Sequence, residues 1–172
     1  ITSAKSLLFD LTVNGDLTMT GGEIELFNNT TITVTGDANL TAGTLSFKDT
    51  SAGLETLDVA GNTTLTATAG TMTVSSRMEC AGDFTSTAAW TPTDGTVTLD
   101  GTTQTLSGTN FVNLTIETGT TTAVVPAAIS GNLNVLSGAT LDADAALDVD
   151  GNVNLGDGTA SLDIGADTHT VA

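Results

Sequence analysis

Short bursts of alternating apolar and polar residues recur along this chain, and their spacing is its strongest signal. One phrase, apolar–x–apolar–x–Gly–Asp/Asn, stands at residues 11–16, 32–37, 57–62, 78–83, 127–132 and 147–152. A looser copy at 106–109 fills the one long gap. The glycines then fall at 15, 36, 61, 82, 108, 131 and 151, in steps of 21, 25, 21, 26, 23 and 20 residues. No heptad or helical repeat has this form, and no segment carries a helical apolar stripe.

The alternation inside each copy predicts strands. Positions four and two before the glycine are apolar. So are most of those two and four after it: Leu17/Met19, Ala38/Leu40, Thr63/Leu65, Phe84/Ser86, Leu133/Val135 and Val153/Leu155. A period of two puts these side chains on one face. The glycine marks a bend or a position of positive φ. A third strand is expected after most copies, at 23–26, 44–47, 71–74, 97–99, 139–141 and 160–164.

Short strands with Gly-rich corners suit two architectures, a β-solenoid and an antiparallel β-sandwich. The near-constant interval, with like residues at like positions, favours the solenoid. The expected fold is all-β, a parallel β-helix of about seven rungs with 20–26 residues per rung, in a single domain over 1–172. Stacking puts Val13, Val34, Val59, Cys80, Ile129 and Val149 in one interior ladder. At roughly 4.8 Å per rung the rod would be roughly 35 Å long.

Composition narrows the function. The 172 residues carry a net charge of −17, with Lys5, Lys48 and Arg77 as the only lysines and arginine. So acidic a surface repels phosphate and argues against nucleic-acid binding. High net charge also raises disorder, but mean hydropathy is +0.20 and only 13% of residues are charged. The excess acidity reflects missing bases, and 37 threonines supply much of the polar face. Thr favours strands. Cys80 is alone, so no internal disulfide and no Cys/His zinc cluster is expected. The apolar runs are too short for a membrane span. No charged-then-apolar leader opens the sequence, as expected of a mature product, a fragment or a chain whose signal was removed.

The stretch 95–108, Gly-Thr-Val-Thr-Leu-Asp-Gly-Thr-Thr-Gln-Thr-Leu-Ser-Gly, with 111–116 after it and the recurring Val–x–Gly–Asn/Asp–Leu phrase, resembles a repeat of secreted bacterial and archaeal surface proteins. Those proteins are similar to right-handed β-helix adhesin passengers and fibre proteins. The resemblance covers nearly the whole chain. It implies a fold and an extracellular or cell-surface location, and no particular chemistry.

Several residues invite a specific reading. Asp148, Asp150, Gly151, Asn154 and Asp157 partly match positions 3, 5, 6, 9 and 12 of a calcium loop. Ala146 would hold position 1, where it cannot ligate. Five sequons, at Asn28, Asn29, Asn39, Asn62 and Asn113, are candidate glycosylation sites. Thr18/Thr20, Asn39/Thr41, Thr64/Thr66 and Thr85/Thr87 form an outward Thr-rich pattern resembling an ice-binding face, but the later pairs, Asn134/Leu136 and Asn154/Gly156, break it.

Catalysis is not expected. The paired carboxylates Asp142/Asp144 and Asp148/Asp150 have no basic groove beside them, and His169 lies where chains fray. Cys80 reads as a small core residue. Trp90 reads as a corner residue or a carbohydrate-stacking ring. No cofactor is expected.

Neither end of the predicted rod has a cap such as an amphipathic helix. Residues 6–10, Ser-Leu-Leu-Phe-Asp, centre on an apolar run, and residues 166–172 are short and alternating. Open strand edges are templates for further pairing. The expected function is therefore an extracellular structural β-solenoid that polymerises with itself, end to end or by strand addition. The alternatives are a stalk or passenger segment of a larger adhesin, and an ice- or calcium-binding solenoid. Cell-surface or carbohydrate partners fit either structural reading.

Overall fold

The computed structural model describes residues 1, 3, 5–48, 54–66, 76–87 and 92–171, and the backbone course over 68–71. No helix occurs among the described residues. The strands of the described residues form sheets of ten, eight and four strands. Each strand pairs in parallel with its equivalent one coil along the chain, so the fold is a β-solenoid and the sandwich is excluded.

The second sheet shows the coil most simply. Its strands are Leu11–Val13, Thr31–Val34, Thr56–Val59, Arg77–Cys80, Thr96–Leu99, Asn113–Ile116, Leu133–Val135 and Val153–Leu155, stacked in chain order. Eight strands enclose about seven turns. The first sheet runs from Lys5–Leu7 through the long strands Leu17–Leu26 and Ala38–Phe47 to Ser161–Ile164. The third sheet begins at Asn110–Phe111 and continues through Ala127–Ile129, Leu147–Val149 and Thr170–Val171. In the early coils the two long strands turn a corner themselves. Their register shifts between Met19 and Glu23, beside Gly22 at φ 77°.

Alternation works as the pattern predicts. Leu57, Val59, Leu114, Ile116, Leu133 and Val135 are fully buried, while the residues between them face out. Each such side chain contributes about 1.5–3 kcal/mol on burial. The interior also accepts polar residues at inward positions, among them Thr63, Ser86 and Thr121.

The expected interior ladder divides in two. Val13, Val34, Val59 and Cys80 are in register, but the ladder continues through Leu99, Ile116, Val135 and Leu155. Ile129 and Val149 belong to the third sheet, with Phe111 and Val171. The repeated phrase encodes strand, corner, strand, and it occupies two different corners. At Gly15, Gly36, Gly61 and Gly82 it joins the second sheet to the first. At Gly131 and Gly151 it joins the third sheet to the second.

Coil length changes with it. Register partners are 25 residues apart at Val34/Val59 but only 17 apart at Leu99/Ile116. Gly108 is not a repeat corner. Its missing Cβ leaves room for the Phe111 ring and Ser86, and Gly101 turns the corner instead.

Most repeat glycines are there for space. Of the seven glycines in the pattern only Gly15 has positive φ, at 120°. A Cβ on Gly61 would lie 2.6 Å from Gly36 O, one coil below. The glycine amides stack directly: Gly36 N donates to Gly15 O at 3.1 Å, and Gly61 N to Gly36 O at 3.0 Å.

The Asp or Asn that follows completes the corner. Asp16 Oδ1 accepts from Asp37 N at 3.0 Å, Asp37 Oδ1 from Asn62 N at 2.8 Å, and Asn62 Oδ1 from Asp83 N at 2.8 Å. Asp83 Oδ1 accepts from Thr105 N at 2.7 Å, which ends this column. A second column stands at the other corner, where Asn113 Oδ1 accepts from Asn132 N and Asn132 Oδ1 from Asn152 N.

Candidate functional surfaces

Both ends of the rod expose apolar side chains. At the C-terminal end Leu155, Ile164 and Val171 are 50%, 52% and 62% exposed. Their register partners one coil below, Val135, Ala143 and Val149, are buried. All three sheets thus finish on an inward-facing apolar residue that no described residue covers. At the N-terminal end Leu7, Leu11 and Val13 are half-buried, and Leu8 and Phe9 are exposed. At the two ends of the rod the strands Lys5–Leu7, Leu11–Val13, Val153–Leu155, Ser161–Ile164 and Thr170–Val171 each pair with one strand among the described residues, which leaves their outer edges open.

The calcium candidates lie on separate stretches. Asp148 faces out from the third sheet and Asp150 follows it into the corner. Asn154 faces out from the second sheet, where its Nδ2 donates to Asn134 Oδ1 at 2.9 Å. Asp157 sits in the next turn, accepting from Ser137 Oγ at 2.6 Å and Thr159 N at 2.9 Å. The Ser137 and Thr159 bonds hold its carboxyl at about 2, well below the usual range. Among the described residues no group of three or more His, Cys, Asp or Glu is arranged to hold a metal ion.

Asp148 and Asp150 do share a groove of about 260 Å³ on the outside of the third sheet, with Pro92, Ala128 and Ser130. Trp90 lies outside the described residues.

The sequons differ in how much of the amide is already engaged. Asn28 and Asn29 form an exposed turn at positive φ, and Asn29 Oδ1 accepts from Leu54 N. Asn39 is half-buried, in register with Thr18 and Thr64. Asn62 and Asn113 belong to the corner columns, and Asn113 Nδ2 donates to Gly95 O at 3.0 Å. That is the nitrogen a glycan would occupy.

The Thr-rich pattern is only partly a column. Thr18, Asn39, Thr64 and Thr85 stack in register, but a bulge sets Thr20 beside Ala42. The hydroxyls of Thr41 and Thr87 turn back to the rod, donating to Met19 O and Thr66 O.

The sequence pattern did not single out two other features. On the second sheet Asp58 and Glu79 are in register, near Asp100 and Glu117. Burial raises the Asp58 carboxyl, helped by the charges of Glu79 and Asp100. Burial likewise raises Asp100, helped by Glu79 and Glu117. Arg77 pairs with Glu79 at 2.9 Å. The signal was available in register, since these acids share the outward parity, but their spacing follows coils of unequal length.

The second feature is Gln104, which plugs the corner where the repeat lapses. It is buried, its Nε2 donates to Cys80 O and Gly82 O, and its Oε1 accepts from Gly101 N.

Cys80 is fully buried, as a core residue should be, and burial pushes its thiol up. His169 is held in place: its Nδ1 accepts from Leu147 N at 3.3 Å. No helix among the described residues is long and apolar enough to cross a membrane. No family model matches the chain, and neither a curated protein nor a solved structure matches it.

Proposed function

We propose that this chain is an extracellular structural protein, a β-solenoid subunit that assembles head to tail into a filament, fibre or sheath. The carrying observation is the register of Leu155, Ile164 and Val171 above buried residues, each aligned to receive another coil. The strands of a parallel sheet share one direction, so only a head-to-tail neighbour extends the ladders. Such a contact is heterologous and does not close, and it grows an open polymer. Its work is mechanical, and no catalytic group is assigned. The extracellular placement draws on the Thr-rich, base-poor surface and on the resemblance to secreted surface repeats.

A second reading draws on the same edges. In a stalk or passenger segment of a larger surface adhesin, flanking coils of the same polypeptide would cover them. The assembly state of the isolated 172-residue chain separates the two. Light scattering across a concentration series should show growing species that disappear in the Ile164→Asp, Val171→Asp double variant. A monomer at every concentration overturns the polymer.

A further inference from the structure

The three C-terminal coils carry their charge unevenly. On the first sheet the outward residues include Asp142 and Asp163, stacked in register. On the third, Asp148 and Asp150 are exposed. The second sheet is different. Its outward positions over these coils, with the corner residues before the last two strands, are Asn113, Thr115, Asn132, Asn134, Asn152 and Asn154. None is charged, in a chain of net charge −17.

These side chains are also fixed. Asn134 Nδ2 donates to Thr115 Oγ1 at 3.4 Å, Asn154 Nδ2 to Asn134 Oδ1 at 2.9 Å, and Asn152 Nδ2 to Asn132 Oδ1 at 3.2 Å. Leu136, 39% exposed, follows Asn134 at one border, and the nearest acid on this strand set, Glu117, stands just past Ile116.

From this distribution we infer that the outer face of the second sheet, over these coils, is a lateral docking surface for the same face of a second copy of the chain. An amide carries both donor and acceptor, as a hydroxyl does, so a face built of them complements its own two-fold copy. The other two faces meet their copies as acid against acid. The neutral face offers no charge to attract an ionic partner, and it is the side on which two such rods approach without that repulsion.

The contact is small. Three coils span roughly 15 Å at the usual strand spacing, which gives far less area than a stable interface of about 1,000 Å². One pair of rods therefore binds weakly. Strength comes from many aligned copies, and in this the inference rests on the end-to-end reading, or on crowding at a surface.

The test uses beads densely coated with the full chain in the Ile164→Asp, Val171→Asp background, which blocks end contacts at already exposed positions. These beads should clump, and clump more as added salt screens the acidic faces. Asn134→Asp with Asn154→Asp should reduce clumping at least tenfold with an unchanged circular dichroism spectrum. Asp148→Asn on the third sheet should not reduce it. Beads that stay dispersed at every salt concentration, or that clump equally with the Asn134 and Asn154 variants, overturn the inference. Filament growth by the unblocked chain is scored separately. Clumping beads without filaments reject the end-to-end reading alone, and single filaments with dispersed beads reject the lateral contact alone.

Discussion

Asp37 Oδ1 accepts the amide N–H of Asn62 at 2.8 Å across a sequence separation of 25 residues. The bond joins equivalent corners of adjacent coils, and it explains why Asp or Asn follows the repeat glycine. Removing the acceptor leaves an amide at the corner without a side-chain partner. Asp37→Ala should therefore cost about 1 kcal/mol. Asp37→Asn keeps the acceptor and removes the charge beside Asp16, so it should hold or raise stability. Urea unfolding of the two variants checks both expectations.

Gly61 and Gly158 make a matched pair. A Cβ at Gly61 would meet Gly36 O at 2.6 Å, whereas one at Gly158 would meet nothing within 4 Å. Gly61→Ala should destabilise the rod by about 1–3 kcal/mol, the usual cost of forcing extra volume into a packed site. Gly158→Ala should leave the unfolding midpoint within error. Equal effects at both sites would mean that conformational freedom, and not coil spacing, selects these glycines.

Gln104 is the fold's repair of a missing corner. Its amide satisfies Cys80 O, Gly82 O and Gly101 N inside the rod. Gln104→Ala should cost about 1–3 kcal/mol, the cost of one abandoned buried group, because the Gly101 amide loses its acceptor while Cys80 O keeps the Asp100 N–H and Gly82 O keeps the Cys80 thiol. Gln104→Glu keeps the Gly101 bond but turns the two donor contacts into repulsions. It should be no more stable than Ala at neutral pH. Thermal melting ranks the variants.

Acid should first stabilise the fold and then weaken it. Asp58 and Asp100 have carboxyls raised above the ordinary 3.8, chiefly by burial. The folded state therefore binds their protons more readily than the unfolded chain does. Their contribution is full below 3.8 and is lost as pH rises through the raised values. Asp157 has the opposite sign: held near 2 by Ser137 and Thr159, it contributes above 3.8 and loses that contribution as pH falls through about 2. The melting temperature should rise from pH 7 toward pH 4 and fall again toward pH 2. Asp58→Asn with Asp100→Asn should flatten the rising limb, and an unchanged limb would assign it to the overall charge.

The fold was legible because one phrase binds three constraints together. Its apolar alternation gave the strands, its interval gave the coil, and its Gly–Asx pair gave the corner. The same phrase was misleading about ladders. Val13 and Val149 occupy equivalent places in it, yet they lie on different sheets, because a strand–corner–strand unit looks alike at either corner of the coil. Three coil steps separate Cys80 from Val135, where the phrase skips most of the way from 83 to 127. In that gap the corners are made by Gly101 and Gln104, a solution no spacing rule announces. The surface was harder still. Asp58 and Glu79 meet only through register, as do Asn134 and Asn154, and register depends on coil lengths that vary from 17 to 25 residues.

In the proposed assembly another copy of the chain covers the open coil above Leu155, Ile164 and Val171. Electron microscopy of the isolated chain over a wide concentration range decides whether it does. Unbranched filaments are expected, each one coil wide and lying singly or side by side, with an axial reflection at about 4.8 Å from strands stacked along the filament axis. Discrete short rods at every concentration would contradict it.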